Sequence, residues 1–218
     1  MRSDQPSEAR EKSMTSATPE PTEQEERKGL EGGVRAKAFA AASELIAEQG
    51  VERMSIRTIA ARAGIGVSSM YHHFPTKEAL LLQIALNGFE KLTGAIEASA
   101  ARYSPDIGPF SSAARAFLGH VARQPTLHDL MFDQHLMARH DSLRAAERAA
   151  FNAFTSQVAA DPRFPAHLAQ SMAVTFWALG RGIAVTALSQ PERTLSAEFG
   201  THLASALGHL IDRNVEQQ

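Results

Sequence analysis

The chain has 218 residues, no cysteine, and a formal net charge of −2 at pH 7. That length suits one or two small domains with a real core, and the missing cysteines exclude a disulfide scaffold, a thiolate metal site and a cysteine nucleophile. No stretch approaches about 18 consecutive apolar residues, and the first residues lack an apolar signal core, so we expect a cytoplasmic protein without a membrane span. The near-neutral total argues against non-specific coating of nucleic acid.

Residues 1–33 differ in composition from the rest of the chain. They contain Pro6, Pro19 and Pro21, lack Phe, Trp, Tyr, Val and Ile, and carry five basic and eight acidic residues, a net charge of −3. Such a segment buries too little apolar surface to offset the entropy lost on ordering. We therefore predict a disordered tail at 1–33. A misassigned start of the chain is the alternative.

The remaining charge is uneven. Residues 34–82 carry six basic and four acidic residues, or +2, whereas 83–218 carry 11 basic and 12 acidic residues, or −1. We therefore divide the chain into a basic domain at 34–82 and a second domain at 83–218. Alanine is abundant, no alternating apolar pattern is sustained, and Gly and Pro breaks separate about nine helical segments, so the predicted fold class is all-α.

The basic segment predicts three helices with defined ends. The first runs over 34–49. The second is capped by Ser55 and ends at Gly64, and the third covers 67–73 and stops before Pro75, because a residue preceding proline avoids the helical region. Thr76 then caps a longer helix. Two short helices joined by a glycine turn after a supporting helix form a helix-turn-helix.

The third helix carries the candidate DNA-reading surface. Met70 and Phe74 are expected to hold it on the core, and Lys77 at the next helix start is a candidate phosphate contact. Hydroxyl and imidazole groups bond phosphates or base edges, and a valine can touch a thymine methyl. The outward side chains are Val67, Ser68, Ser69, Tyr71, His72 and His73.

The segments SIRTIAARAG and AGIGVSSMYHHFPTKEALL resemble the DNA-binding motif of TetR-family transcriptional regulators. The resemblance covers about 50 residues and implies an N-terminal DNA-binding domain joined to a helical domain for ligand binding and dimerisation. Gly66 stands where the family has a serine cap and Ser68 where it often has glycine, which leaves base specificity open. By resemblance, the phosphate contacts are Ser55, Thr58, Tyr71, His72 and Lys77, and the residues facing bases are Val67, Ser68 and Ser69.

The second domain offers a candidate effector pocket. Predicted helices at 108–123, 126–139 and 141–160 carry aromatic, methionine and histidine side chains, which typify a ligand pocket but also an ordinary core. No histidine spacing or thiol supports a metal, so we expect neither metal nor cofactor. The candidate pocket residues are Phe117, His120, Met131, Phe132, His135, Phe151, Phe154, Phe176 and Trp177.

Two stretches, QPTLHDLMFDQHL and FWALGRGIAV, resemble TetR-type regulatory domains named for a Trp-His-Gly signature. Trp177 and Gly182 are present, but Arg181 replaces the histidine, and we expect its charge to face solvent. Two long predicted helices follow, at 166–189 and 192–213. Their apolar faces predict a four-helix homodimer interface, with closure of the monomer core as the alternative. The candidate interface residues are Leu179, Ile183, Leu203, Leu207 and Leu210.

We therefore expect a homodimeric, ligand-responsive transcriptional regulator, a repressor that a small-molecule effector releases from a palindromic double-stranded DNA operator. One alternative is a helical enzyme or carrier with a vestigial DNA reader. No GxSxG motif, phosphate-binding glycine loop or paired catalytic carboxylates support an enzyme. The other alternative is a ligand-independent architectural DNA-binding protein. The sequence leaves open the effector, the operator and the role of the tail.

Overall fold

The computed structural model describes residues 23–102, 107–191, 196–203 and 205–206, and these described parts contain helices and loops without a strand. The all-α prediction is therefore confirmed. The described residues include a 3-10 turn at Ala166–Leu168 and a helical segment at 197–203. The nine α-helices of this part of the chain are α1 Glu23–Gln49, α2 Ile56–Ala63, α3 Val67–His73, α4 Lys77–Ala100, α5 Gly108–Arg123, α6 Pro125–Met131, α7 Gln134–Arg139, α8 Asp141–Ala159 and α9 Ala169–Leu188.

Two helix boundaries differ from the sequence prediction. Helix α1 begins at Glu23, so residues 23–33 of the predicted disordered tail are helical, and residues 1–22 lie outside the described part. The first four helical residues are all glutamate or glutamine, which favours a helix start. The single helix predicted at 126–139 is wrong: it is divided into α6 and α7. Asp133 starts the second helix, because its carboxylate accepts a hydrogen bond from the Leu136 amide at 2.9 Å.

Helix α4 joins the two parts of the chain. It begins directly after the helix-turn-helix, passes through the predicted boundary at 82/83, and packs against α5 and α8. Helix α9 covers the other side of α5, α6 and α8. The approach is close at two glycines. A Cβ at Gly180 would lie 2.3 Å from the Phe117 ring, and one at Gly88 would lie 2.7 Å from the sulfur of Met131.

An ion pair between a buried carboxylate and a half-buried guanidinium fixes the start of α5. Asp161 is 1% exposed, and its carboxylate accepts hydrogen bonds from the Phe110 amide at 3.1 Å and from the Arg163 guanidinium at 2.7 and 2.9 Å. Arg163 also donates to the Ile107 carbonyl at 2.6 Å. Charged groups this deep are retained only when they are paired and hydrogen-bonded, so the pair holds the α8–α9 loop against α5.

Among the described helices, α9 has the length and apolar composition of a membrane span. One face of α9 is buried against α5, α6 and α8, and it includes Ala173, Phe176, Gly180, Ile183 and Ala187. The core helix of a folded domain has the same composition, so this packing accounts for the apolar character of α9.

Candidate nucleic-acid interface

The turn between α2 and α3 follows the sequence prediction. Ser55 and Thr58 form a capping box, in which the Thr58 amide donates to Ser55 Oγ at 3.1 Å and the Ser55 amide donates to Thr58 Oγ1 at 2.9 Å. Gly64 ends α2 with a φ of 64°, a left-handed conformation that favours glycine. Half-buried Ile65 packs on the core beside it. These caps fix the angle at which α3 leaves the turn.

One side of helix α3 is buried on the core, and the opposite side is exposed to solvent. Met70 and Phe74 are fully buried, as predicted, and Phe74 lies 5.9 Å from the Phe39 ring on α1, measured between ring centroids. Val67 is 41% exposed and Tyr71 46% exposed, unusual values for large side chains. Ser68 and His72 are also exposed, whereas Ser69 and His73 are half-buried. The predicted DNA-reading residues therefore share one surface, which we call the α3 face: Val67, Ser68, Ser69, Tyr71, His72 and His73.

The hydroxyls of Ser55 and Thr58 have different capacities for a phosphate. Thr58 Oγ1 donates its hydrogen to the Ser55 carbonyl at 2.8 Å, so it has no second donor for a phosphate oxygen. Ser55 Oγ is exposed and accepts from the Thr58 amide, and its own hydrogen has the 3.2 Å contact to Thr58 Oγ1, which is longer than the 2.8 Å bond that Thr58 donates. Because the longer contact is the weaker one, the geometry favours Ser55 over Thr58 as a phosphate donor at the start of α2.

Basic side chains around the α3 face have unequal availability. Lys77 Nζ donates to the carbonyls of Val51 and Glu52 at 3.0 and 3.4 Å, so the predicted phosphate ligand also ties α4 to the loop after α1. An ammonium has three donors, and one remains for a phosphate. Arg57, exposed in the first turn of α2, is a candidate that sequence reasoning did not assign. Its signal is its position next to the Ser55 cap at a helix N-terminus.

Arg62 on the same helix is paired within the protein. Its guanidinium bonds both carboxylate oxygens of Glu48 on α1, at 2.7 and 2.8 Å, and reaches Glu44 at 3.3 Å. These hydrogen bonds hold the pKa of Glu48 below its usual value. Arg62 therefore positions α2 on α1 and adds little positive charge to the DNA side.

The helix-turn-helix meets the second domain through polar contacts of Glu78, in the first turn of α4. Its carboxylate lies 3.1 Å from an Arg139 guanidinium nitrogen at the end of α7 and 2.9 Å from His140 Nε2 at the start of α8. Two clefts flank this junction. One of about 280 Å³ is lined by Lys77, Glu78, Leu81 and residues of α6 and α7, and the other, of about 420 Å³, lies between α1 and the α5–α6 corner. Glu78 thus links the end of α7 and the start of α8 to the helix that follows α3.

Most predicted pocket residues form one aromatic cluster in the second domain. The rings of Phe117 and Trp177 are stacked with centroids 5.0 Å apart, and Phe132 and Phe151 contact Trp177 edge-on at 6.0 and 5.5 Å. Phe154 adjoins Phe117 at 5.8 Å. Phe176 and Met131 are buried in the same core. The rings contact one another, and neither of the two clefts described above is lined by them.

Two buried histidines border this cluster. His120 is 8% exposed and His128 1% exposed, and neither His120 Nε2 nor the two ring nitrogens of His128 has a hydrogen-bond partner. Burial lowers the pKa of His120 to about 4 and that of His128 to about 3, and positive neighbours add to both shifts. Sequence reasoning included His120 but missed His128. The aromatic residue Phe132, one helical turn after His128, was the available signal.

Two other side chains differ from or refine the prediction. His135 is exposed and lines the 280 Å³ cleft beside Lys77, so its placement in the aromatic pocket was wrong. The break between α6 and α7 turns it away. Arg181 is exposed, as expected, and its guanidinium carbon also lies 4.9 Å from the centroid of the Phe132 ring. It therefore covers the outer wall of the cluster through a cation–π contact.

The candidate dimer residues lie in different environments. Ile183 is 3% exposed and belongs to the protomer core, whereas Leu179 and Leu203 are half-buried. Leu207 and Leu210 lie outside the described residues. The apolar side chains that α9 exposes are Val174, at 53%, and Val185, at 62%. The face of α9 open to a partner therefore contains these valines and not Ile183.

The fold and the α3 face define a helix-turn-helix protein with an attached helical domain. The family model of the bacterial regulatory proteins, tetR family, matches residues 38–84, the segment that contains the α3 face. This segment is therefore similar to the N-terminal part of tetR-family regulatory proteins.

The relatives agree with this assignment. An uncharacterized HTH-type transcriptional regulator of Mycobacterium tuberculosis is 28% identical over 105 residues, which are 44% of this chain and 51% of the relative. The chain thus spans about half the length of the curated relatives it matches.

Two solved structures share the fold. A tetR-family regulatory protein from Rhodococcus RHA1 has a TM-score of 0.56 at 22% identity, covering 84% of this chain and 96% of that one. A protein from Saccharomonospora viridis, described as a transcriptional regulator in complex with choline, has a TM-score of 0.62 at 17% identity and covers 82% and 97%.

Proposed function

We propose that the protein is a cytoplasmic homodimeric transcriptional repressor that binds a palindromic DNA operator and is released by a small molecule. The observation that carries this proposal is the α3 face. Val67 and Tyr71 are 41% and 46% exposed on a helix whose opposite side is fixed by buried Met70 and Phe74. A short, rigidly held helix with a polar and aromatic outer side suits the major groove.

Sequence-specific binding on this scale requires two copies. A seven-residue helix reads only a few base pairs, and the basic domain has a net charge of only +2 over 34–82. Two such helices about 34–36 Å apart would enter successive major grooves of a palindrome. The exposed valines of α9, Val174 and Val185, support a partner surface on the side of the second domain.

Release by an effector requires coupling between the domains. Glu78 supplies a contact for it, because its carboxylate joins the first turn of α4 to Arg139 and His140. An effector shifts operator affinity only by its different affinities for the two arrangements of α4. The choline bound to the Saccharomonospora viridis protein supports a small-molecule role for this fold.

The proposal is tested by selecting bound sequences from a random double-stranded DNA pool with the full chain. An inverted repeat with half-sites about one helical turn apart is the expected result. Enrichment of AT-rich DNA without a motif would instead indicate an architectural protein, and no enrichment would contradict DNA recognition. A parallel selection with Val67→Ala, at a position assigned to the bases, tests whether the α3 face reads the DNA, and that variant should enrich the motif more weakly or with a changed base preference.

A further inference from the structure

His128 is a buried polar side chain without a partner. It lies on α6 with 1% of its surface exposed, and neither ring nitrogen has a hydrogen-bond partner in the part of the chain that the structure describes. His120 on α5 adds a third unpartnered ring nitrogen nearby. Buried polar groups are almost always hydrogen-bonded, and water or a ligand completes most of the exceptions. Two such rings on the contacting helices α5 and α6 indicate a place where a polar group belongs.

The surroundings define what that group can be. The His128 ring lies 6.0 Å from Phe117 and 4.8 Å from Phe132, between ring centroids, so the adjacent wall is apolar. Burial keeps both imidazoles neutral at pH 7, and a neutral imidazole offers one N–H donor and one acceptor. Two charged side chains reach the cluster: the Arg181 guanidinium carbon lies 4.9 Å from the Phe132 centroid, and the Glu147 carboxylate accepts a hydrogen bond from Trp177 Nε1 at 3.3 Å. Because Arg181 covers the ring next to His128, and Glu147 bonds the tryptophan, the His128 end favours an oxygen head group over a cationic one.

We propose that His128 and His120 are the polar end of the effector site, which takes a small molecule with an apolar body and a hydroxyl or carboxylate head. The head hydrogen-bonds to the two neutral imidazoles, and the body replaces part of the aromatic contact between Phe117, Phe132 and Trp177. This assignment rests on the proposed effector response. The role of His128 as a polar ligand contact is assigned from its burial without a hydrogen-bond partner, and not from the sequence or the fold.

The chain contains a single tryptophan, which reports on this site. Trp177 stacks on Phe117 at 5.0 Å and contacts Phe132 at 6.0 Å, the two rings that adjoin His128. A molecule that enters between these rings changes the Trp177 emission. Fluorescence of the full-length protein therefore follows binding at this position without requiring DNA.

Three probes with one apolar body and different heads test the proposal: 3-phenylpropanol, 3-phenylpropanoate and 3-phenylpropylammonium. We expect the alcohol and the carboxylate to change Trp177 emission saturably, and the ammonium to bind at least tenfold more weakly. His128→Leu should weaken the two oxygen-headed probes at least tenfold. The matched control is His167→Leu, which makes the same change at an exposed histidine and should leave the affinity unchanged.

A second readout guards against a variant that merely misfolds. Because His128 has no partner to lose, His128→Leu should melt at or above the temperature of the wild type at pH 7.5. The proposal is overturned if neither oxygen-headed probe gives a saturable change, if the ammonium binds as tightly, or if His128→Leu binds the probes as the wild type does. Loss of DNA binding would refute the proposed regulator and leave these fluorescence titrations unaffected, so the two failures are distinguishable.

Discussion

Acid should destabilise this protein through its two buried histidines. Both have depressed pKa values in the folded state, about 4 for His120 and about 3 for His128, against 6.5 when unfolded. Between these pH values the unfolded chain therefore binds protons that the folded chain does not bind. The contribution of the two neutral histidines to the free energy of unfolding is fully present above pH 6.5 and is lost as the pH falls from 6.5 towards their folded pKa values.

The size of the effect follows from the same values. At pH 5 the unfolded form of each histidine is protonated and the folded form is neutral, which corresponds to about 2 kcal/mol per residue relative to pH 7.5. Together His120 and His128 should lower the free energy of unfolding by about 4 kcal/mol. That is a large part of the stability of an ordinary domain.

Urea denaturation at pH 7.5 and pH 5, at one fixed protomer concentration, measures this loss. Carboxylates and exposed histidines also titrate, so the informative quantity is the difference between the wild type and His128→Leu. The variant should lose about 2 kcal/mol less than the wild type between the two pH values. An equal loss in both proteins would show that His128 is not held neutral in the folded state, and the argument for its burial would fail.

Three further outcomes follow from the packing and the α3 face. Gly180→Ala places a Cβ 2.3 Å from the Phe117 ring and should lower the free energy of unfolding by about 1–3 kcal/mol. Gly182→Ala on the same helix is the control, because its Cβ meets nothing within 4 Å. Equal shifts of the two variants in calorimetry would contradict the close approach at Gly180. Tyr71→Ala should weaken operator binding by roughly tenfold in a fluorescence anisotropy titration with an unchanged melting temperature. Asp161→Asn should cost about 3 kcal/mol in urea denaturation, because it removes the buried charged acceptor that the Phe110 amide and the Arg163 guanidinium share. A cost below about 1 kcal/mol would refute that role.

Local signals in the sequence predicted the helix-turn-helix closely. Ser55, Gly64 and Thr76 are capping residues whose conformations follow from their own chemistry, and the structure places each where the pattern predicts. The buried positions of Met70 and Phe74 followed from helical periodicity. These features depend on neighbours within about four residues, which a single sequence displays directly.

Features that depend on contacts between residues far apart in the sequence were harder to predict from the sequence. The break at Asp133 is a cap inside an otherwise helical pattern, and it decides that His135 faces the cleft. The unpartnered state of His128 depends on residues of α5 and α9 that no local pattern places beside it. The engagement of Lys77 by the carbonyl of Val51, 26 positions away, is a tertiary contact of the same kind.

The central claim is that the α3 face recognises a specific DNA sequence. Competition between the selected inverted repeat and a scrambled duplex of equal length and composition, at one salt concentration, tests it most directly. The account predicts that the full-length protein prefers the repeat by about a thousandfold or more and that Val67→Ala, at a base-facing position, lowers this preference. Equal affinity for the two duplexes, or an unchanged preference in the variant, would contradict the claim.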